Sequence, residues 1–133
     1  VYLRALPQRA IAPAEVVKPS AATLERGAKV YEQHCAQCHG DNGEGKPGAF
    51  PALAGNRAVV LQDPTNLVRV VLQGGYLPAT AGNPRPHGMP PFQQVLGDDD
   101  VAAVSTFVRN AWGNQAPAVG TIGVYRARER RGS

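Results

Sequence analysis

The sequence predicts an all-α domain in which three to four helices are joined by long ordered loops. Three observations lead there. Apolar residues recur at helical spacing in three stretches, each opened by capping residues and two of them closed by glycine. Glycine (15) and proline (12) together make about a fifth of the 133 residues, too many for a bundle with short turns. Hydrophobic residues are 43% of the chain but aromatics only 6%, so the core is modest and one domain with tails is the expected organisation.

What completes so small a core is indicated by Cys35-Ala36-Gln37-Cys38-His39-Gly40. Two thiols three positions apart, followed at once by an imidazole, match the spacing of c-type haem attachment, in which each cysteine forms a thioether to a vinyl group and the histidine ligates iron. The chain has no other cysteine, which leaves none for a disulfide. The competing readings are a redox dithiol, which expects a βαβ setting, and half of a zinc site, which expects two more ligands at short spacing. His34 abuts Cys35 and His87 lies in a Pro-rich loop, so neither is well placed for zinc. One haem c held by Cys35 and Cys38 is the reading adopted. A macrocycle of that size adds a large apolar plate to the core, so the apo-protein is expected to fold poorly.

In chain order, residues 1–6 read as the end of a preceding helix and Pro7 to Pro19 as an extended linker, giving 1–19 as the end of a preceding domain plus a joint. Ser20 or Thr23 caps a helix running through Leu24, Gly27, Val30 and Tyr31 to the thiol motif. Gly27 within a helix costs about 1 kcal/mol against alanine, which is repaid if a second helix crosses there; a merely tolerated glycine is the alternative. Gly40 to Gly48 is loop. In Phe50-Pro51-Ala52-Leu53-Ala54-Gly55, the Pro51 carbonyl is the expected acceptor for the second ring nitrogen of His39, and Leu53 is expected to pack on the porphyrin; an ordinary proline turn is the alternative.

Asp63 and Pro64 start a short helix with a Leu67, Val70, Val71 stripe, stopped by Gly74-Gly75. Tyr76 to Phe92 returns to loop, with five prolines in seventeen residues and the only methionine, Met89, in Gly88-Met-Pro-Pro-Phe92. A thioether sixth ligand opposite His39 is the reading for Met89; His87 is the rival ligand, and a five-coordinate iron the third possibility. Gly97-Asp98-Asp99-Asp100 opens the last helix, whose Val101, Val104, Phe107, Val108 and Trp112 share a side, with Val104 and Phe107 expected to meet Gly27 and Tyr31. Gly113 and Asn114 end it, so the domain is 20–113 and residues 114–133 are a basic tail. Arg57, Tyr76, Arg85 and Trp112 are candidates for the propionates by position.

The net charge of +4 resides at the ends. Residues 1–19 carry +2, residues 126–133 carry +3 and the body between is −1, which argues against a nucleic-acid surface. No apolar run is long enough to span a bilayer and no signal peptide is visible; since this attachment takes place outside the bacterial cytoplasm, Val1 is expected to be a cut end. The location is expected to be periplasmic, or on the periplasmic face of the inner membrane, with membrane association only through partners or missing segments.

The combination of Cys35-x-x-Cys38-His39, Pro51-x-Leu53-x-Gly55, Met89 between glycine and prolines, and a C-terminal aromatic helix resembles a class I cytochrome c over residues 20–113. More narrowly, Gly88 to Phe92 together with Arg109-Asn-Ala-Trp112-Gly-Asn-Gln-Ala-Pro117 is similar to the last haem domain of the multi-haem cytochrome subunit serving periplasmic alcohol, nicotinate and isoquinoline dehydrogenases. The resemblance implies iron ligation by His39 and Met89, attachment through Cys35 and Cys38, no catalytic residues of its own, and electron passage from a dehydrogenase toward a quinone or terminal oxidase. One attachment motif, not several, departs from the multi-haem pattern. A one-electron carrier is therefore expected; a gas sensor or haem enzyme with a displaceable Met89 is the alternative.

Overall fold

Helix α1 (Ala21–His34) begins where Ser20 takes an extended backbone and its Oγ accepts from the Thr23 amide at 3.1 Å. In this computed structural model, residues 19–46, 49–76 and 88–130 are described; the readings of residues 1–18 and of Arg85 and His87 as candidate ligands lie outside them. Gly27, Val30 and Tyr31 form the buried face of α1. A four-residue helix, α2 (Ala36–His39), follows after a break at Cys35.

Helix α3 (Thr65–Gln73) starts under Asp63, whose Oδ1 accepts from the Thr65 amide at 3.0 Å and its hydroxyl at 2.6 Å. The face it buries is Val68, Val71 and Leu72, one position on from the expected stripe, and Val70 is left exposed. The spacing is the same, but the helix is rotated so that this face meets both helices packed against it. Gly74, at φ +74°, stops it. The chain then forms β1 (Gly75–Tyr76), which pairs antiparallel with β2 (Gly88–Met89) in the register Gly75 to Met89 and Tyr76 to Gly88.

Helix α4 (Asp98–Val108) gathers three aspartates in its first turn, where the helix dipole favours them. It is the central element: α1, α3 and the final helix α5 (Thr121–Arg130) all pack on it, so nearly every side is buried. Where it crosses α1, a Cβ on Gly27 would lie 2.2 Å from the Ala103 carbonyl oxygen and 2.6 Å from Phe107 Cβ, so the close neighbour beside Phe107 is Ala103 rather than Val104. The rings of Tyr31, Phe107 and Trp112 meet tilted or edge-on beside this crossing, with centroids 5.1 to 5.6 Å apart.

Two expectations for the C-terminal part differ from what is found. Helix α4 ends at Val108, not near Trp112, because the Asn110 amide turns back to the Phe107 carbonyl, and Trp112 itself takes a positive φ of 54°. Beyond it the chain is no loose tail. Val124 and Ala127 of α5 are buried in the same core as α3 and α4, and Arg128 binds Asp98 at 2.8 Å while donating to the Gln93 and Leu96 carbonyls. The helices number five among the described residues, and the class remains all-α.

Candidate functional site

Cys35 sits in the break between α1 and α2. Its amide still donates to Tyr31, while its carbonyl accepts the amides of Cys38 at 3.1 Å and His39 at 3.0 Å. One turn of chain therefore carries both thiols and the imidazole, with Cys35 half-buried and Cys38 exposed, and neither in a disulfide. Burial pushes the Cys35 thiol up to about 11, with the neighbouring Cys38 adding to the shift. Redox dithiols are activated by the opposite shift, so this environment does not suit a thiolate nucleophile.

The His39 ring is buried, and its Nδ1 lies 2.9 Å from the Pro51 carbonyl oxygen. A carbonyl can only accept, so Nδ1 carries the proton, and Nε2 keeps the lone pair that a metal requires. The loop bringing Pro51 there is folded back tightly. Gly45 donates to the His39 carbonyl at 2.7 Å, and the Leu53 and Ala54 amides share the Gly43 carbonyl at 2.7 and 3.0 Å. Gly43 has φ +66°, and a Cβ on it would run into the Trp112 ring at 2.5 Å, so no other residue fits. Leu53 is half-buried against the core.

Met89 is anchored elsewhere. The carbonyls of Val71 and Leu72 belong to the last turn of α3 and lack partners within the helix; they accept from the Phe92 amide at 3.0 Å and the Gln93 amide at 3.1 Å. Gly74 lies against the same segment, where an added Cβ would be 2.2 Å from the Met89 carbonyl oxygen. Met89 itself is half-buried against the core, and the ring of His34 stands edge-on to Phe92 at 5.6 Å. The His39 ring is thus braced through residues 40–46 and 49–55, and the segment after Met89 through α3. Of the propionate candidates, Arg57 is exposed, Trp112 is engaged with Tyr31 and Phe107, and the side chains of Tyr76 and Arg85 lie outside the described residues.

Three residues take roles here that the sequence reading does not assign them. The Tyr31 hydroxyl donates to the Gly40 carbonyl at 2.6 Å, closing the turn after His39. Arg109, fully buried, donates from Nε to Pro117 and from Nη1 to Val59 and Leu61, all backbone carbonyls. Burial lowers its pKa and the charge of Asp63 pulls it back, while a guanidinium stays protonated in proteins. Asn114 bridges Leu53, Gly55 and Val108. Nothing local marks a surface arginine from a buried one, and Asn114 reads as a helix stop within the Arg109–Pro117 stretch. Among the described residues no three His, Cys, Asp or Glu side chains gather closely enough to share a metal ion, which is not the donor set of a closed zinc site.

The profile of the cytochrome c family matches residues 24–112. The chain belongs to the cytochrome c family. Relatives support this: it is 47% identical over 96 residues to the cytochrome c subunit of the quinone alcohol dehydrogenase of Gluconobacter oxydans (strain 621H), covering 72% of this chain and 20% of that one. It is 40% identical over 98 residues to the gluconate 2-dehydrogenase cytochrome c subunit of Pantoea cypripedii, covering 73% and 22%. It is also 38% identical over 91 residues to cytochrome c-552 of Thermus thermophilus, covering 66% and 69%. This cytochrome thus spans about a fifth of the length of the dehydrogenase subunits it matches. The relatives are cytochromes or cytochrome subunits, and the class is one of electron-transfer proteins rather than catalysts.

The family implies a haem c, and the residues present fit one. Two thiols on one turn are free of each other, a buried imidazole makes no Nε2 bond to a described residue, and a thioether lies in a segment bonded to α3. No described helix is long and apolar enough to cross a membrane.

Proposed function

We propose that this cytochrome is a one-electron carrier with a single haem c, attached through Cys35 and Cys38 and ligated by His39 and Met89, which relays electrons from a periplasmic dehydrogenase toward a quinone or terminal oxidase. The observation that carries the reading is the bond from His39 Nδ1 to the Pro51 carbonyl, which leaves Nε2 as the ring's only donor. When bound, a haem c supplies an iron that changes by one electron between ferric and ferrous states. The chain's own residues hold that change still. The Pro51 carbonyl would orient His39, and the pairing with Gly75 and the close approach of Gly74 would hold the Met89 backbone, so neither ligand would need to move between oxidation states. A neutral thioether favours the ferrous form and raises the potential over bis-histidine ligation. Leu53 is read as an apolar wall against the macrocycle.

The dehydrogenase end of the relay is supported by similarity to the cytochrome c subunits of alcohol and gluconate dehydrogenases. A body charge near neutral gives little steering, so partner choice rests on tethering. Residues 1–19 are proposed as that tether, joining this domain to a preceding one. The periplasm is the matching location.

Replacing Met89 by alanine in the matured protein tests the assignment. The variant should lose the sulfur-to-iron charge-transfer band, drop in potential and bind carbon monoxide in the ferrous state, whereas the parent should not bind it. A parent that binds carbon monoxide readily would favour a sensor with a displaceable methionine. A matured protein lacking c-haem bands, or with both thiols unmodified by mass, would remove the reading altogether.

A further inference from the structure

We infer that Asn114 is a positioning residue for the His39 ligand, acting through the Pro51–Gly55 loop. The inference rests on the proposed ligation by His39. The carbonyl that orients the imidazole belongs to Pro51, an exposed residue in a stretch that is neither helix nor strand. Its direction must be set by what holds the next few residues. On one side the Leu53 and Ala54 amides hang from the Gly43 carbonyl. On the other the holder is Asn114.

Asn114 is buried, with 8% of its surface exposed, and its amide is spent on three backbone groups. Nδ2 donates to the Leu53 carbonyl at 3.0 Å and the Val108 carbonyl at 2.8 Å, and Oδ1 accepts from the Gly55 amide at 2.9 Å. Both amide hydrogens are used. Val108 is the last residue of α4, the most enclosed helix, so the loop carrying the Pro51 carbonyl is referenced directly to the core. The same bond satisfies a carbonyl at the helix end that has no partner within the helix. No other asparagine substitute reproduces this set: aspartate has no hydrogens for Leu53 and Val108, and alanine leaves all three groups unpaired in a buried place.

The consequence lies at the imidazole. Without Asn114 the loop keeps its bonds to Gly43, the Lys46–Phe50 bridge and the Asn56 bond to Ala52 but loses its tie to α4, so the Nδ1–H to Pro51 bond opens more often and His39 becomes a weaker electron donor. A less basic ligand stabilises ferric iron less, so the potential moves upward.

The experiment uses matured haem-loaded protein. In N114A, exchange of the His39 Nδ1 proton measured by NMR should quicken by about tenfold or more, as expected for losing buried hydrogen bonds, and the potential should rise. V124A serves as the control, since Val124 is buried on α5 and makes no bond to this loop. It should lower stability while leaving both readouts in place. The inference is overturned if N114A carries haem with both readouts unchanged, or if V124A reproduces the changes. Should N114A fail to mature, the parent decides: the Gly55 amide and the His39 Nδ1 proton should exchange through one opening, with protection factors agreeing within about threefold, and protection factors unrelated to one another overturn it. A His39 imidazole showing no paramagnetic shift in the oxidised protein would instead overturn the ligand assignment, a result distinct from the others.

Discussion

The two helical glycines that face opposite surroundings offer a test in which the sign decides. In Gly27→Ala, the new methyl would sit 2.2 Å from the Ala103 carbonyl oxygen, where ordinary contact begins at 3.4 Å. Helices α1 and α4 must therefore part by about 1 Å, and the obstacle is backbone, which cannot swing aside as a side chain would. Overpacking of this kind costs about 1–3 kcal/mol. Alanine returns up to about 1 kcal/mol through its better helix propensity. With a rigid obstacle the upper part of the cost applies, and the net loss is about 1–2 kcal/mol. For a domain near 100 residues this lowers Tm by roughly 4–16 °C. Gly123 on α5 has nothing within 4 Å of an added Cβ, so Gly123→Ala should stabilise by up to about 1 kcal/mol. Urea unfolding of the haem-loaded protein, followed by far-UV circular dichroism, gives both values. A G27A variant as stable as its parent, or more so, would refute the claim that the α1–α4 crossing depends on that missing side chain.

Tyr31→Phe should cost about 1–2 kcal/mol near neutral pH by stranding the Gly40 carbonyl. Burial raises the Tyr31 phenol above its ordinary value, so the unfolded chain loses the proton first; the stabilisation is full below about pH 10 and declines as pH rises beyond it. The gap between parent and Y31F should accordingly narrow in alkaline urea titrations. Arg109→Lys keeps the charge but cannot reach the carbonyls of Val59, Leu61 and Pro117 together, and should destabilise by roughly 2–4 kcal/mol in the same assay.

Much of this was legible because local chemistry and global fold agree. Ser20 caps α1, and Asp63 binds Thr65 just ahead of the Pro64 cap of α3, by side-chain geometry that depends on a few neighbours, and glycine at 27 signals a close approach whoever the neighbour is. The short Cys35 to His39 motif is legible for the same reason. What failed depended on distant partners. The buried face of α3 shifted by one residue, because the apolar spacing admits either face and only the packed helices choose between them. Helix α5 reads as tail because arginines dominate its composition, yet two small apolar residues, Val124 and Ala127, dock it together with the Arg128 bonds to Asp98, Gln93 and Leu96. Arg109 and Asn114 bind carbonyls tens of positions away, and their types alone carry no trace of that.

The pairing of Gly75 with Met89 and Tyr76 with Gly88 works as a clasp. The chain departs at Tyr76 and re-enters at Gly88, its direct cross-strand partner, so the two ends of the intervening stretch meet at a fixed spacing whatever joins them. Changes of sequence between the two strands are thereby separated from the backbone at Met89, which the pairing with Gly75 holds. On the proposed ligation, such changes would leave the sulfur donor on the same footing.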